Sequence, residues 1–340
     1  MQKAILRIAA FLTLSLGCLH AQQASASAEK DTSPHTMRLI EVEPGVKLEV
    51  LDWGGTGRPL ILLAGQNFTA HDFDQFAPKL TAQHHVYGIT RRGFGTSSVS
   101  PPTSDNYSAV RLGDDILAVI AALGLDRPVL VGHSIAGEEL SSIGTRHPEK
   151  VAGLIYLDAG YSYAYYAPQI GDLLLDAIDV RKSLNTLLSG QARDMKQFVL
   201  DLQTLLPQLE KDLQEMQRQW ALAPGEPQKM PPLPQPLPTR VAVNLAIRNG
   251  EQKFGGVNVP VLAIFAAPHR ETDLEFADNR GVHDAMVAND RATTTAQAEA
   301  FKAGMPNARI VFLPNASHHV FKSNESDVLR EINSFVASLP

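Results

Sequence analysis

Gly132-His133-Ser134-Ile135-Ala136-Gly137 is the stretch whose reading decides the fold of this chain. It follows the apolar run Pro128-Val129-Leu130-Val131 and precedes Glu138 to Arg146, a segment able to form a helix. A strand, a sharp turn with a serine at its apex, then a helix is the context in which a G-x-S-x-G-like sequence makes a nucleophile elbow. The turn strains the serine backbone and brings strand and helix close together, so the residues around it must be small. Gly132 meets that demand. On the other side Ala136 stands where glycine is usual and Gly137 follows one place later, an elbow slightly altered rather than lost.

Working outward, strand-like and helix-like segments alternate. Met37 to Val42 and Val46 to Leu51 read as an antiparallel pair around Glu43-Pro44-Gly45. Leu60 to Ala64, His85 to Thr90, Val129 to Val131, Val151 to Leu157, Val261 to Phe265 and Arg309 to Leu313 read mostly as buried parallel strands. Helices are expected over His71 to Thr81, Val110 to Leu123, Ile135 to Arg146, Asn289 to Gly304 and Asp327 to Leu339. This alternation predicts an α/β fold, a doubly wound and mostly parallel eight-stranded sheet. Residues 37–160 and 257–340 would form its core. The interruption, residues 161–256, holds a helix-like piece from Ala192 to Ala221 and a proline-rich connector from Pro224 to Pro238. It reads as a helical cap over the carboxyl ends of the strands, where open α/β sheets bind ligands. Tyr161, Tyr163, Tyr165 and Tyr166 open it, either lining a pocket or packing the hinge.

Lys3 and Arg7 precede an apolar run from Ile8 to Leu19, followed by small residues near Ala21 to Ala28. Residues 1–28 are therefore expected to be a signal peptide and leader, and the run is too short for a membrane span of about 20 residues. Export to the periplasm or the exterior follows. Cys18, the only cysteine of the chain, lies in this segment, and Leu14-Ser15-Leu16-Gly17-Cys18 offers the alternative of a lipid anchor, with Ser15 in place of the preferred leucine. The net charge of -6 and the lack of a dense Lys/Arg block argue against nucleic-acid binding.

Four motifs in order carry a resemblance. Leu62-Leu63-Ala64-Gly65-Gln66-Asn67 resembles the oxyanion loop of the α/β-hydrolase fold family, with Ala64 replacing the usual histidine. Thr90-Arg91-Arg92-Gly93-Phe94-Gly95-Thr96-Ser97 resembles its R-G-x-G-x-S turn, Gly132 to Gly137 its elbow, and Asn315-Ala316-Ser317-His318 the late segment that delivers its histidine. The likeness runs from about Leu39 to the end of the chain, apart from the cap.

The resemblance implies Ser134 as nucleophile and His318 as the base that takes its proton. His319 and His133 are expected to be neighbours without that role. His71, His84 and His85 read as surface residues. The acid that orients the base is ambiguous. The family usually places it after the seventh strand, where Phe265 to Asp273 has no acid at the turn itself, so Asp273 or Glu271 would reach back from a longer loop. Asp158, at the end of the strand Val151 to Leu157, is the alternative, favoured because a strand end is the more rigid mount. The backbone N–H groups of Gln66 and Ile135 would form the oxyanion hole. Glu138 and Glu139 fall in the first turn of the elbow helix, where negative charge is favoured.

No metal-site spacing and no dinucleotide fingerprint occurs, so neither metal nor cofactor is expected. A serine at the elbow disfavours the epoxide hydrolase and haloalkane dehalogenase chemistries, in which relatives use an aspartate nucleophile. The expectation is a serine hydrolase acting on a small-molecule ester or related acyl bond. The alternative is a binding module on the same fold with an incomplete triad.

Overall fold

The computed structural model of the protein describes residues 33–191, 194–222, 232–275 and 280–340. The expected signal peptide, with Cys18, lies outside the described residues, as does part of the proline-rich connector. Eight strands form one sheet: β1 (Thr36–Glu43), β2 (Val46–Gly54), β3 (Pro59–Leu63), β4 (His85–Ile89), β5 (Val129–His133), β6 (Gly153–Leu157), β7 (Val261–Ala266) and β8 (Arg309–Leu313). They lie in the order β1-β2-β4-β3-β5-β6-β7-β8. β1 pairs antiparallel with β2, and β2 with β4; every later pairing is parallel.

Every residue of β5, β6 and β7 is buried, which is why these strands read as unbroken apolar runs. The two-residue period splits their side chains between two cores, one on each face of the sheet. Leu60, Leu62, Val129 and Val131 meet Val328, Ile332 and Phe335 of the last helix on one face. Ile61, Leu63 and Leu130 meet Ile116, Val119, Leu140, Ile143 and Phe301 on the other. The covering helices are α1 (Ala109–Ala122), α2 (Ala136–Arg146) and α7 (Arg280–Gly304) on that second face, and α9 (Glu325–Ala337), preceded by the short α8 (Val320–Ser323), on the first. Ser108 caps α1 by accepting a hydrogen bond from the Arg111 N–H.

One expected helix fails. His71 to Thr81 forms two 3₁₀ turns, Ala70–Phe73 and Ala77–Lys79, because Pro78 has no N–H to give and its ring excludes a continuous helix. One histidine at this edge also differs from expectation: His84 is buried, its Nε2 2.8 Å from Asn333 Oδ1, whereas His85 is part-exposed and lies 2.8 Å from Asp52.

Between β6 and β7 run α3 (Leu173–Leu188), capped by Asp172, the long α4 (Met195–Leu222) and α5 (Thr239–Gly250); the short α6 (Arg270–Glu275) follows β7. The sequence pattern marked α4 but not α5. Val243, Ala246 and Ile247 of α5 pack with Phe94, Tyr107, Leu112 and Ile135 in a third cluster, which brings this inserted helix down to the residue after Ser134. No described helix is long and apolar enough to cross a membrane.

Candidate active site

β5 and β6 are parallel neighbours with His133 level with Leu157, so the residues that follow them, Ser134 and Asp158, leave the sheet at the same edge. Both adopt left-handed backbone conformations, with φ of 53° and 47°, a strain that non-glycine residues avoid unless the surroundings impose it. The ladder extends to hold them: Ser134 N–H donates to Leu157 O and Asp158 N–H to Ile264 O.

The requirement for smallness sits at Gly137 rather than at the position before it. Ala136 is accommodated fully buried, whereas a Cβ on Gly137 would lie 2.1 Å from the carbonyl oxygen of Ala159, where the chain leaves β6. Overpacking of this kind costs up to about 3 kcal/mol. The helix propensity of alanine returns only about 1. Gly137→Ala is therefore expected to lower stability by about 2 kcal/mol, measurable as a shift of the urea unfolding midpoint.

His318 follows β8 by a short loop and reaches across to both strand ends. Its Nε2 lies 2.8 Å from Ser134 Oγ and its Nδ1 2.7 Å from Asp158 Oδ2. Asp158 is fully buried and saturated. Its Oδ1 accepts from the Ala266 N–H at 3.0 Å and from the Tyr161 hydroxyl at 2.8 Å. Its Oδ2 is shared between His318 and His269, whose Nε2 is 2.8 Å away. Burial alone would raise the Asp158 pKa, but the adjoining His269 charge and the hydrogen bonds from both histidines hold it far below the usual carboxylate range. His269 also lies 3.0 Å from Asp290 through Nδ1. Burial alone would lower its pKa, and Asp158 and Asp290 outweigh that and push it up to about 11.

Of the other acids considered, Glu271 accepts the backbone N–H of His318 at 3.1 Å, so it holds the histidine segment rather than the imidazole. The side chain of Asp273 lies outside the described residues. Glu139 is buried in an ion pair with Arg91. Glu138 is also buried, and that burial together with nearby Glu251 pushes its carboxyl well up. His269 and Asp290 were missed by sequence reasoning, although His269 lies inside the quoted stretch after the seventh strand.

Arg91 also donates to the carbonyls of Ala64 and Gly65. In a trans peptide the N–H points opposite to the carbonyl, so this grip turns the Gln66 N–H away from Arg91. Gly65 lies against the elbow, where a Cβ would come within 3.1 Å of Ser134 Cβ. Beyond it, Asn67 combines a turn conformation, φ 71°, with bonds from its side chain to Arg240 and Asn244 of α5, while Gln66 donates to Asn244 O. The Tyr161 hydroxyl is committed to Asp158, and Tyr166 to Asp176, so these members of the tyrosine group do polar work at the base of the insertion.

His133 is buried and its pKa is driven well down by that burial. Its Nε2 donates to the His318 carbonyl at 3.0 Å, since a carbonyl can only accept. His319 turns the other way, its ring 5.0 Å from that of Phe68 and its Nε2 3.7 Å from Asp72. Among the described residues, two groups bring metal-ligating atoms within 4.8 Å of one another: Asp158, His269 and His318, and Asp72, His133 and His319. In the first, each imidazole already gives one ring nitrogen to Asp158, and the other nitrogens face Asp290 and Ser134. In the second, Asp72 already carries the Lys322 ammonium, so its compensating cation is a side chain.

The comparisons with known proteins agree with this architecture. The fluoroacetate dehalogenase of Burkholderia sp is 33% identical over 115 residues, 33% of this chain and 38% of that protein. The epoxide hydrolase A of Mycobacterium tuberculosis is 32% identical over 124 residues, 36% of this chain and 38% of its own. The matches thus span little more than a third of these relatives' length. A crystal structure of a serine hydrolase involved in carbazole degradation superposes with a TM-score of 0.55 at 17% identity, covering 89% of this chain and 99% of that one, a likeness of fold. The family model described as the alpha/beta hydrolase family matches residues 60–331, which is most of the chain, and this protein belongs to that family.

Proposed function

We propose that the protein is a serine hydrolase that cleaves a carboxylic ester or related acyl bond through an acyl-serine intermediate. The observation that carries the reading is the unbroken path from Ser134 Oγ to His318 Nε2, 2.8 Å, and from His318 Nδ1 to Asp158 Oδ2, 2.7 Å. His318 takes the serine proton as Oγ attacks the carbonyl carbon, and Asp158 stabilises the imidazolium that results. The N–H groups of Ile135 and Gln66 receive the oxyanion, each such donor being worth about 2.7 to 4 kcal/mol in the transition state. His318 then protonates the leaving group, and water repeats the sequence to release the acid.

Epoxide opening or halide displacement through a covalent ester needs a carboxylate at the elbow. A serine would form an ether that water does not cleave, so the names of the two curated relatives do not transfer. Residues 161–256 act in this reading as a cap, supported by the bonds from Arg240 and Asn244 to the loop at Asn67. Residues 1–28 direct export.

A stoichiometric burst of p-nitrophenol from p-nitrophenyl acetate is expected, followed by steady turnover, with the acyl group recovered on the peptide that contains Ser134. Absence of both the burst and the adduct sinks the proposal and leaves a binding module on this fold.

A further inference from the structure

His269 occupies the place after β7 where the family resemblance puts the acid, and no step above uses it. Its Nε2 lies 2.8 Å from Asp158 Oδ2, its Nδ1 3.0 Å from Asp290 Oδ1, and its backbone N–H 2.6 Å from Asp290 Oδ2. An ionised carboxylate only accepts hydrogen bonds. An imidazole with a carboxylate on each ring nitrogen therefore keeps both protons and carries a positive charge. Both His269 and Asp290 are buried, so this charge is screened little by solvent.

We propose that His269 is a positioning residue, a fixed imidazolium that anchors Asp158 to Asp290 and offsets part of its negative charge, and that this charge sets where the acid limb of the activity falls. The inference rests on the serine-hydrolase reading above.

The groups around the two histidines allow the sign to be worked out. His318 is faced by Asp158, Ser134 and the rings of His133, His319 and His269, whose centroids lie 4.7, 5.8 and 6.2 Å away, while Glu271 holds its backbone N–H. Burial drives the pKa of both His133 and His319 down, the latter to about 4, so His269 is the cation among these rings at neutral pH. His269 itself is faced by Asp158, Asp290, His318 and the Tyr161 hydroxyl at 3.2 Å. The two carboxylates raise its pKa to about 11 against the burial that would lower it, in agreement with the hydrogen-bond geometry. A positive charge 6.2 Å from His318 opposes its protonation. Removing that charge lifts a repulsion against a second cation in the site, and because a general base acts only when neutral, the acid limb of kcat/KM is expected to move to higher pH. Coulomb's law with an effective protein dielectric of about 20 to 40 puts the movement at about one to two pH units.

His269→Gln keeps a donor toward Asp158 and deletes the charge; Asp290→Asn leaves the ring but removes the partner that retains its second proton. Both are expected to move the acid limb upward, the first by about one to two pH units and the second by less, with kcat on the alkaline plateau within about tenfold of the unmodified protein. A residue that only filled space would lower kcat at every pH and leave the limb in place. In parallel, ¹⁵N NMR of the imidazoles in the unmodified protein should show His269 doubly protonated at pH 8 and beyond. An acid limb unmoved in both variants, or a His269 ring that loses a proton near pH 6.5, overturns the proposal. Failure of the serine-hydrolase reading is separately visible as absent turnover and adduct in the unmodified protein, and the NMR experiment still decides the charge of His269 in that case.

Discussion

Ser134→Ala is expected to lower kcat toward p-nitrophenyl esters by on the order of 10⁶-fold, the scale on which loss of a serine nucleophile acts in such sites. The size follows from the geometry. Ser134 Oγ is the one atom of the elbow side chain in contact with His318 Nε2, and without it the base has no proton to take. The fold should be unaffected, because alanine also carries a Cβ and meets the same backbone strain at φ 53°. A melting temperature within a degree or two of the parent, together with complete loss of labelling by a fluorophosphonate probe, is the expected pair of results. Retained labelling or a kcat loss below tenfold would show that another group attacks. Residual rate above solution is expected from the oxyanion donors, which the substitution leaves in place.

Asp158→Asn should cost about 10⁴-fold in kcat, while Asp273→Asn leaves kcat within about tenfold. Asparagine has the shape of aspartate but only one accepting oxygen. Asp158 meets two donors at each oxygen: His318 and His269 at Oδ2, Ala266 N–H and Tyr161 at Oδ1. Whichever way the amide turns, its NH₂ faces donors. If it faces His318, the imidazole loses its tautomer; if it faces Ala266, a buried N–H is orphaned. The variant should therefore also be less stable, by about 3 kcal/mol, since a buried pair with His269 is broken. Steady-state kinetics and urea unfolding on both variants check this. Should Asp273→Asn alone abolish turnover, the acid has been assigned to the wrong element.

The parts of this site that could be read from the chain are those made by neighbours in sequence. Gly132 to Gly137 specify a turn through six consecutive residues, and the apolar runs flanking it are unbroken because β5 to β7 are covered on both faces. The acid was harder, because whether Asp158 or Asp273 meets His318 depends on β6 lying between β5 and β7 in the sheet, which no local pattern states. His269 and Asp290 come together from the turn after β7 and from α7, 21 residues apart, and a histidine where an acid was sought was their one visible trace. The failed helix at His71 to Thr81 had its warning in Pro78. α5 escaped notice because its short apolar face is completed by Phe94 and Tyr107 from distant loops.

The hydrogen bond from His133 to the His318 carbonyl has a mechanical consequence. Ser134 and His318 come from segments 184 residues apart, and in the proposed reaction their direct contact must open whenever an acyl group enters between them. The His133 bond links the same two segments one residue to the side of the reacting atoms, and it does not have to break during turnover. In the proposed reaction the imidazole then tilts between Ser134 and a leaving group while the origin of its swing stays fixed to the elbow, as a pendulum hung from the frame it serves.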